Sequence, residues 1–305
     1  MGLRDEWPTL SLLTLTYGAF AALTLYAGAL PLVVVIAGLA VIIAMHSSLQ
    51  HEVLHGHPFQ TQWLSDLTAL PALGLFVPYL RFKDTHLAHH HDPNLTDPYD
   101  DPESNFLDQA TWQNMPPWMQ SLARFNNTLI GRMAVGPAIS LYAFYRDDWG
   151  LLWRFNRRVV LSYLVHGLSV ALVLAWLLGL ADVPLWAYGI AAYLAMSLLK
   201  IRTYLEHRAH DRASARSVII EDRGPLALLF LNNNYHAVHH AHPKVTWHKL
   251  PQMFEARRDY FLTRNGGYSY RSYVDVFAQY LFEAKDPVPH PTWTVSNRTK
   301  PSARG

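Results

Sequence analysis

The stretch LVVVIAGLAVIIAMHSSLQHEVLH, residues 32–55, decides how the rest of the chain is read. Residues 32–49 are mainly apolar and approach the length of about 20 residues that a helix needs to cross a bilayer. The run ends in His51-Glu-Val-Leu-His55, two imidazoles four residues apart, which share one face of a helix. An apolar span that delivers a ligand pair at its end is the pattern of a membrane metalloprotein.

Two further clusters extend the pattern. His86-Leu-Ala-His89-His90 and His236-Ala-Val-His239-His240 repeat one spacing, and His207 stands alone between them. The 17 histidines are the compositional outlier. Neutral imidazole ligates iron, zinc, copper and manganese. A zinc site takes about three or four protein ligands. The clusters supply eight histidines, nine with His207, which suits two ions with four or five ligands each. His210, one turn after His207, could also ligate, but His207 lies nearer the apolar segment before it. His46, His57 and His91 are rotated off the cluster faces and are expected in surface or supporting roles. His166 falls inside an apolar segment, where a hydrogen-bonded buried histidine is expected. His242, His248 and His290 read as ordinary polar residues.

The other apolar segments set the frame. Residues 10–30 form a first span, joined to 32–49 by Pro31 alone; 159–178 form a third and 185–199 a shorter fourth. Residues 67–80 are apolar but broken by Pro71, Gly74 and Pro78, as expected of a re-entrant or interfacial segment. Residues 128–145, interrupted by Gly131, Gly136 and Pro137 and carrying Arg132, read as an amphipathic helix on the membrane surface. Four crossings put His51, His55, His86, His89, His90, His207, His236, His239 and His240 on one side. That side carries Arg81, Lys83, Arg154, Arg157, Arg158, Lys200, Arg202, Arg208 and Arg212, whereas the opposite turns near residues 29–31 and 179–184 have no Lys or Arg. The positive-inside rule places the histidines in the cytoplasm. The acidic N-terminus lacks a small-residue cleavage site, so the first span is expected to stay as an anchor.

Half of the residues are hydrophobic and 16% are charged, with mean hydropathy +0.02; a soluble domain carries nearer about 25% charge. The net charge of +2, without a Lys/Arg run, gives no footprint for nucleic acid. With no cysteine, Cys-ligated zinc, iron–sulfur clusters and disulfides are excluded. Any redox chemistry must then use histidine or carboxylate ligands and electrons from a separate protein. The expected fold is an all-α integral membrane protein: four transmembrane helices under a cytoplasmic helical cap that carries the histidines. Residues 1–285 form one membrane-embedded domain, and 286–305, rich in Pro and polar residues, form a poorly ordered or draped tail.

The clusters resemble those of the integral-membrane fatty acid desaturase superfamily, whose pattern is HxxxH, HxxHH and HxxHH on a four-helix membrane domain. The matching segments are His51-Glu-Val-Leu-His55-Gly-His57-Pro-Phe59, Thr85-His86-Leu-Ala-His89-His90 and Asn234-Tyr235-His236-Ala-Val-His239-His240. Arg202-Thr-Tyr-Leu-Glu206-His207-Arg208 resembles the stretch after span four in bacterial members. The resemblance covers residues 10–251. It implies a non-haem di-iron centre with O2 as co-substrate, a fatty acyl substrate, and a bacterial inner-membrane location. It also implies an external donor, ferredoxin-like or similar, docking on the cytoplasmic face. The narrow second box favours desaturation over hydroxylation. A hydroxylase, ketolase or alkene-forming decarboxylase, or a desaturase of a small amino-acid-like substrate, is the alternative. Arg81, Lys83, Arg202 and Asn232 to Asn234 are near enough to the boxes to meet a polar head group, although residues of these types also serve as surface and turn residues.

Overall fold

The computed structural model describes residues 3–91 and 94–293. Two long helices open the chain, α1 (Leu3–Leu25) and α2 (Leu32–Leu54), followed by α3 (Gln62–Ala69) and α4 (Tyr79–His91). Short helices α5 (Gln109–Asn114), α6 (Pro117–Asn126) and α7 (Leu129–Ala134) lead into α8 (Gly136–Trp153). The long pair α9 (Arg157–Gly179) and α10 (Leu185–Thr203) comes next. The remainder is built of α11 (Pro225–Leu229), α12 (His236–Ala241), α13 (Leu250–Ala256), α14 (Arg258–Arg264) and α15 (Tyr273–Tyr280). Strands β1 (Ile219–Ile220) and β2 (Ser269–Tyr270) pair in parallel and fasten this last part together.

Among the described residues, three helices are long and apolar enough to cross a membrane: Asp5–Leu25, Leu32–Leu54 and Arg157–Gly179. The outer face of α9 shows why. Leu161, Leu164, Leu168 and Leu172, spaced three or four residues apart, are all more than half exposed, a stripe that only an apolar solvent would stabilise. The expected fourth span is different. Helix α10 is the inner helix of the bundle, with Ala187, Ala191, Ala192 and Ala195 fully buried against α2 and its neighbours. Small residues let helix backbones approach closely, and a helix that meets protein rather than lipid can dispense with large apolar side chains. The last turn of α10 also carries Lys200 and Arg202, which lower its apolar character.

The turn after α1 and the turn between α9 and α10 lie at the same end of the bundle. Asp182 N donates to Thr24 O (3.1 Å) and Trp176 Nε1 to Thr24 Oγ1 (3.0 Å). Gly28 makes room there for Asp182, whose Oδ2 would stand 2.1 Å from a Cβ and would have to turn aside. The end of α2 that carries His51 and the end of α10 that leads to His207 are therefore together at the opposite end.

Residues 70–78 are non-helical and largely enclosed, and side chains of the long helices satisfy their backbone. Ser169 Oγ donates to Leu70 O (2.7 Å) and accepts from Ala72 N (2.8 Å). Tyr188 Oη donates to Leu73 O (2.7 Å), His166 Nε2 to Leu75 O (2.9 Å), and Tyr145 Oη to Phe76 O. Irregular backbone at membrane depth is tolerated where protein supplies its partners. Residues 128–145 form not one helix but two, α7 and α8, broken at Val135. The outer surface of α8 continues in Trp149 and Trp153, both more than 60% exposed, as suits an interfacial position.

Within the expected tail, residues 286–293 are draped over the loop after α4. Leu107 N donates to Val288 O (3.1 Å), His290 N to Leu107 O (2.8 Å), and Trp293 Nε1 to Asp97 Oδ2 (2.8 Å). Residues 294–305 lie outside the described residues.

Candidate metal centre

The nine singled-out histidines converge into two groups. His51, His55, His86, His90 and His239 form one; His89, His207, His236 and His240 form the other. In each group one ring nitrogen per residue lies within 4.8 Å of all the others. The boxes are thus divided rather than aimed as units. On α4 the i,i+4 pair His86 and His90 serves the first group while His89 turns to the second. On α12 the i,i+4 pair His236 and His240 serves the second while His239 turns to the first. Helical spacing explains the division: four residues return to the same face, whereas the third position is offset around the axis. The stacked rings of His90 and His240, 4.2 Å apart, stand between the groups.

Carboxylates fix the ring orientations. His86 Nδ1–H donates to Glu103 Oε1 (2.7 Å), and His89 Nδ1–H donates to Asp101 Oδ1 (2.7 Å). Asp101 also accepts from Thr96 N (2.8 Å) and Glu103 N (2.9 Å), so its buried carboxylate is fully engaged. His236 Nδ1 faces Asn233 Oδ1 (3.3 Å), and Asn233 Nδ2 donates to Glu206 Oε1 (2.8 Å). Glu206 is also paired with Arg202 (3.1 Å). His207 is not on a helix; it is bridged to Ser217, its Nδ1 lies 3.2 Å from Ser217 Oγ, and its carbonyl accepts from Lys285 Nζ. Partners of this kind hold a ring in the tautomer whose other nitrogen can ligate.

The donor set fits a pair of cations. His86 Nε2 lies 3.0 Å from His90 Nε2, which is 3.1 Å from His239 Nε2. His207 Nε2 is 2.9 Å from His89 Nε2 and 3.0 Å from His236 Nε2. One N–H cannot serve two such neighbours, so lone pairs face one another. His51 Nε2, His55 Nε2 and His240 Nε2 are buried with no hydrogen-bond partner among the described residues. Burial, with crowding by neighbouring imidazoles, holds His55, His207, His236, His239 and His240 well below the ordinary range, and His90 at about 3. Neutral rings with converging, unpaired nitrogens are what a divalent ion requires. His89 is the exception. Burial opposes its charging, but Glu103 and Asp101 outweigh that and raise it to about 9. A proton there stands where the charge of a cation would.

The other histidines take no part in either group. His46 Nε2–H donates to Tyr17 Oη (3.0 Å), and Tyr17 donates to Thr68 O (2.6 Å). His57 is buried against Glu6 (2.9 Å) and faces Glu52 (3.8 Å), a supporting role within the protein. His91 is exposed, His210 accepts from Arg212 N (3.0 Å), and His248 donates to Asp5 O (3.0 Å). Of His207 and His210, only His207 lies within one of the two groups. His290 meets Thr96 Oγ1 (3.1 Å), and the His242 ring packs on Phe261. The residues considered for a polar head group are engaged elsewhere. Arg81 pairs with Asp148 (2.6 Å) and Lys83 with Asp66 (2.7 Å). Arg202 meets Glu206 (3.1 Å), and Asn232 and Asn234 bond to backbone carbonyls.

Asp101, Glu103 and Ser217 were not legible as functional residues. The acid pair Asp101 and Glu103 follows box two closely, and that proximity was the available signal.

Membrane-length helices, with two all-histidine groups able to hold metal gathered beyond the end of α2, define a histidine-box membrane protein. The family model described as fatty acid desaturase matches residues 24–272, and the chain belongs to that family. The resemblance carried by the boxes is therefore confirmed, and the family makes the chain an oxidoreductase. No curated protein matches the chain.

Proposed function

We propose that this protein is an O2-dependent di-iron desaturase that introduces a double bond into a fatty acyl chain, with electrons from an external carrier. The observation that carries the reading is the division of nine histidines into groups of five and four, in a chain of the fatty acid desaturase family. His51, His55, His86, His90 and His239 would hold one iron, and His89, His207, His236 and His240 the other. When bound, the irons supply the oxidising power that breaks an unactivated C–H bond. The chain's own residues do the rest. Asp101, Glu103 and Asn233 orient the ligand rings, and the burial of His86, His89 and His236 keeps bulk water from them. Overall, one CH2–CH2 unit, O2, two electrons and two protons give one CH=CH unit and two waters.

Helix α10 is proposed as a fourth crossing. Its turn with α9 packs against the end of α1, which is expected if both hairpin turns emerge on one side of the membrane. Basic residues such as Arg157, Arg158, Arg208 and Arg212 at the histidine end support a cytoplasmic site and a carrier docking there, a ferredoxin or similar protein.

The test is expression in an iron-replete host with a ferredoxin system, followed by mass spectrometry of the lipids. A product lighter by two hydrogens, dependent on O2 and lost in His86→Ala, is expected. A product with added oxygen, or a chain one carbon shorter, would replace desaturation with hydroxylation or decarboxylation at the same centre. One tightly held zinc without turnover would overturn the enzyme reading.

A further inference from the structure

Several enclosed basic side chains are answered by carboxylates: Arg81 by Asp148, Arg202 by Glu206 and Lys285 by Asp286. Arg132 and Lys200 are not; neither has an ion-pair partner among the described residues. Arg132, expected on a membrane-surface helix, is only 5% exposed. Its Nε donates to Asn126 O (2.9 Å) and its Nη2 to Asn127 Oδ1 (3.4 Å), and the guanidinium lies over the Tyr204 ring, 5.9 Å from the centroid. All of these partners are neutral, and Nη1 has no hydrogen-bond partner among the described residues. Lys200 is partly buried, and its ammonium donates to Ser140 Oγ (2.6 Å), also neutral.

The two cations are neighbours, set where α7 and α8 lie against α10. Of the charges that act on Lys200, that of Arg132 is the strongest. Burial pulls Arg132 down to about 10, with Tyr204 opposing it. Asn126 stands at the same place: a Cβ on Gly136 would be 3.0 Å from Arg132 Cδ and 3.2 Å from Asn126 Oδ1. That Oδ1 is buried without a partner among the described residues, and with the amide turned over its NH2 becomes a donor instead. An enclosed cation without a counter-charge is costly. A carboxylate would accept paired bonds from the free edge of the guanidinium and a further one from the ammonium.

The surroundings say what such an anion would be attached to. Leu129 and Met133 of α7 and Ile201 of α10 belong to the main apolar core. A molecule held here by its anionic end places its remaining atoms among them, which suits a long hydrocarbon chain and not a small hydrophilic acid. The place also borders the histidine groups. The charges of Glu103 and Glu206 act on Lys200 as well, and these carboxylates stand 2.7 Å from His86 Nδ1 and 3.7 Å from His236 Nδ1.

We propose that Arg132 and Lys200 receive the free carboxylate of the substrate, and that the protein therefore acts on an unesterified long-chain fatty acid. The head is held between α7, α8 and α10, and the chain runs from there towards the histidine groups. This inference rests on the fatty acyl reading above. An ester or thioester presents a carbonyl at that point, which would leave both cations without a counter-charge.

The experiment measures binding of palmitate, methyl palmitate and palmitoyl-CoA to the metal-free, full-length protein in a non-ionic detergent, by equilibrium dialysis. Wild type is expected to bind palmitate about tenfold or more tightly than the methyl ester. Arg132→Gln and Lys200→Met should lose that preference while keeping wild-type affinity for the ester, and Arg132→Lys should retain part of it. Because the charge removed has no partner, ligand-free Lys200→Met should melt at or above wild type. Equal affinity of wild type for acid and ester would overturn the proposal, as would unchanged palmitate binding in Arg132→Gln and Lys200→Met. A preference for palmitoyl-CoA that depends on the same two cations would assign them to a phosphate and overturn it too. Parallel loss of acid and ester binding, or a Lys200→Met protein that melts well below wild type, would make the cations structural and counts against the proposal. Desaturation is tested apart, on the iron-loaded protein supplied with palmitate: an oxygenated or shortened product would overturn that reading and leave the carboxylate site standing.

Discussion

Replacing Asp101 with asparagine isolates the charge that His89 feels. The Asp101 carboxylate is 1% exposed and accepts from His89 Nδ1 (2.7 Å), Thr96 N (2.8 Å) and Glu103 N (2.9 Å). With its oxygen at the Oδ1 position, asparagine still accepts from His89 and Glu103 but turns an NH2 group towards Thr96 N–H. The bond to His89 falls from a charged one, about 1.5–3 kcal/mol, to a neutral one, about 0.5–1.5 kcal/mol. The loss of about 1–1.5 kcal/mol corresponds to roughly tenfold in affinity for the ion that His89 holds. Asp101→Ala removes the acceptor altogether and should cost roughly ten- to hundredfold, the range found for partners of metal-bound histidine. Chelator competition on the iron-loaded protein, with Mössbauer spectroscopy to separate the two sites, measures both. The expected order is wild type, Asn, Ala in falling affinity at the four-histidine group, with a smaller change at the five-histidine group. Equal affinities in all three proteins, or a loss confined to the five-histidine group, would refute the reasoning.

Other outcomes follow from separate parts of the molecule. His207→Ala should lose about one metal per chain while His210→Ala keeps both, since only His207 lies in a group; elemental analysis of the purified variants decides. Ser169→Ala strips a donor from Leu70 O and an acceptor from Ala72 N, and should lower stability by about 1–3 kcal/mol for each group left unsatisfied, read as thermal unfolding in detergent. Ala191→Leu forces a larger side chain into a fully buried position of α10 and should cost about 1–3 kcal/mol by overpacking, in the same assay. Leu164→Arg on the exposed stripe of α9 should impair membrane insertion by about 2.5–3.5 kcal/mol if it faces the bilayer centre, whereas Leu164→Ile should be neutral; a translocon insertion assay distinguishes them.

Much of the centre could be read from the chain because its ligands are spaced by helical geometry. His51 and His55, His86 and His90, and His236 and His240 are each one turn apart, and a turn is a local property. The division of each HxxHH box between two groups was not readable. It depends on how α4 and α12 are rotated towards each other, which tertiary packing decides. The carboxylates were missed for a related reason: Asp101 and Glu103 sit in a Pro- and Asp-rich loop with no periodicity, so only the folded chain brings them to His89 and His86. The long apolar helices were legible by length and hydropathy. Helix α10 was legible as a span over 185–199, but its burial against α2 was not, because the packing of its alanines is a tertiary property. Residues 128–145 read as one amphipathic helix interrupted by Gly131, Gly136 and Pro137, and the sequence does not reveal that the interruption at Val135 divides it into α7 and α8.

The enclosed stretch at residues 70–78 has a consequence for the centre it leads into. Helix α4, with His86, His89 and His90, begins where this stretch ends, and the stretch is hydrogen-bonded to Ser169, His166 and Tyr188 of α9 and α10. The depth of the second box is thus measured from neighbouring protein and not from the lipid. In a thinner or thicker bilayer the adjustment would fall first on the exposed outer leucines of α9. The histidine centre is in this sense suspended from the inside of the bundle, and its geometry is insulated from the composition of the membrane around it.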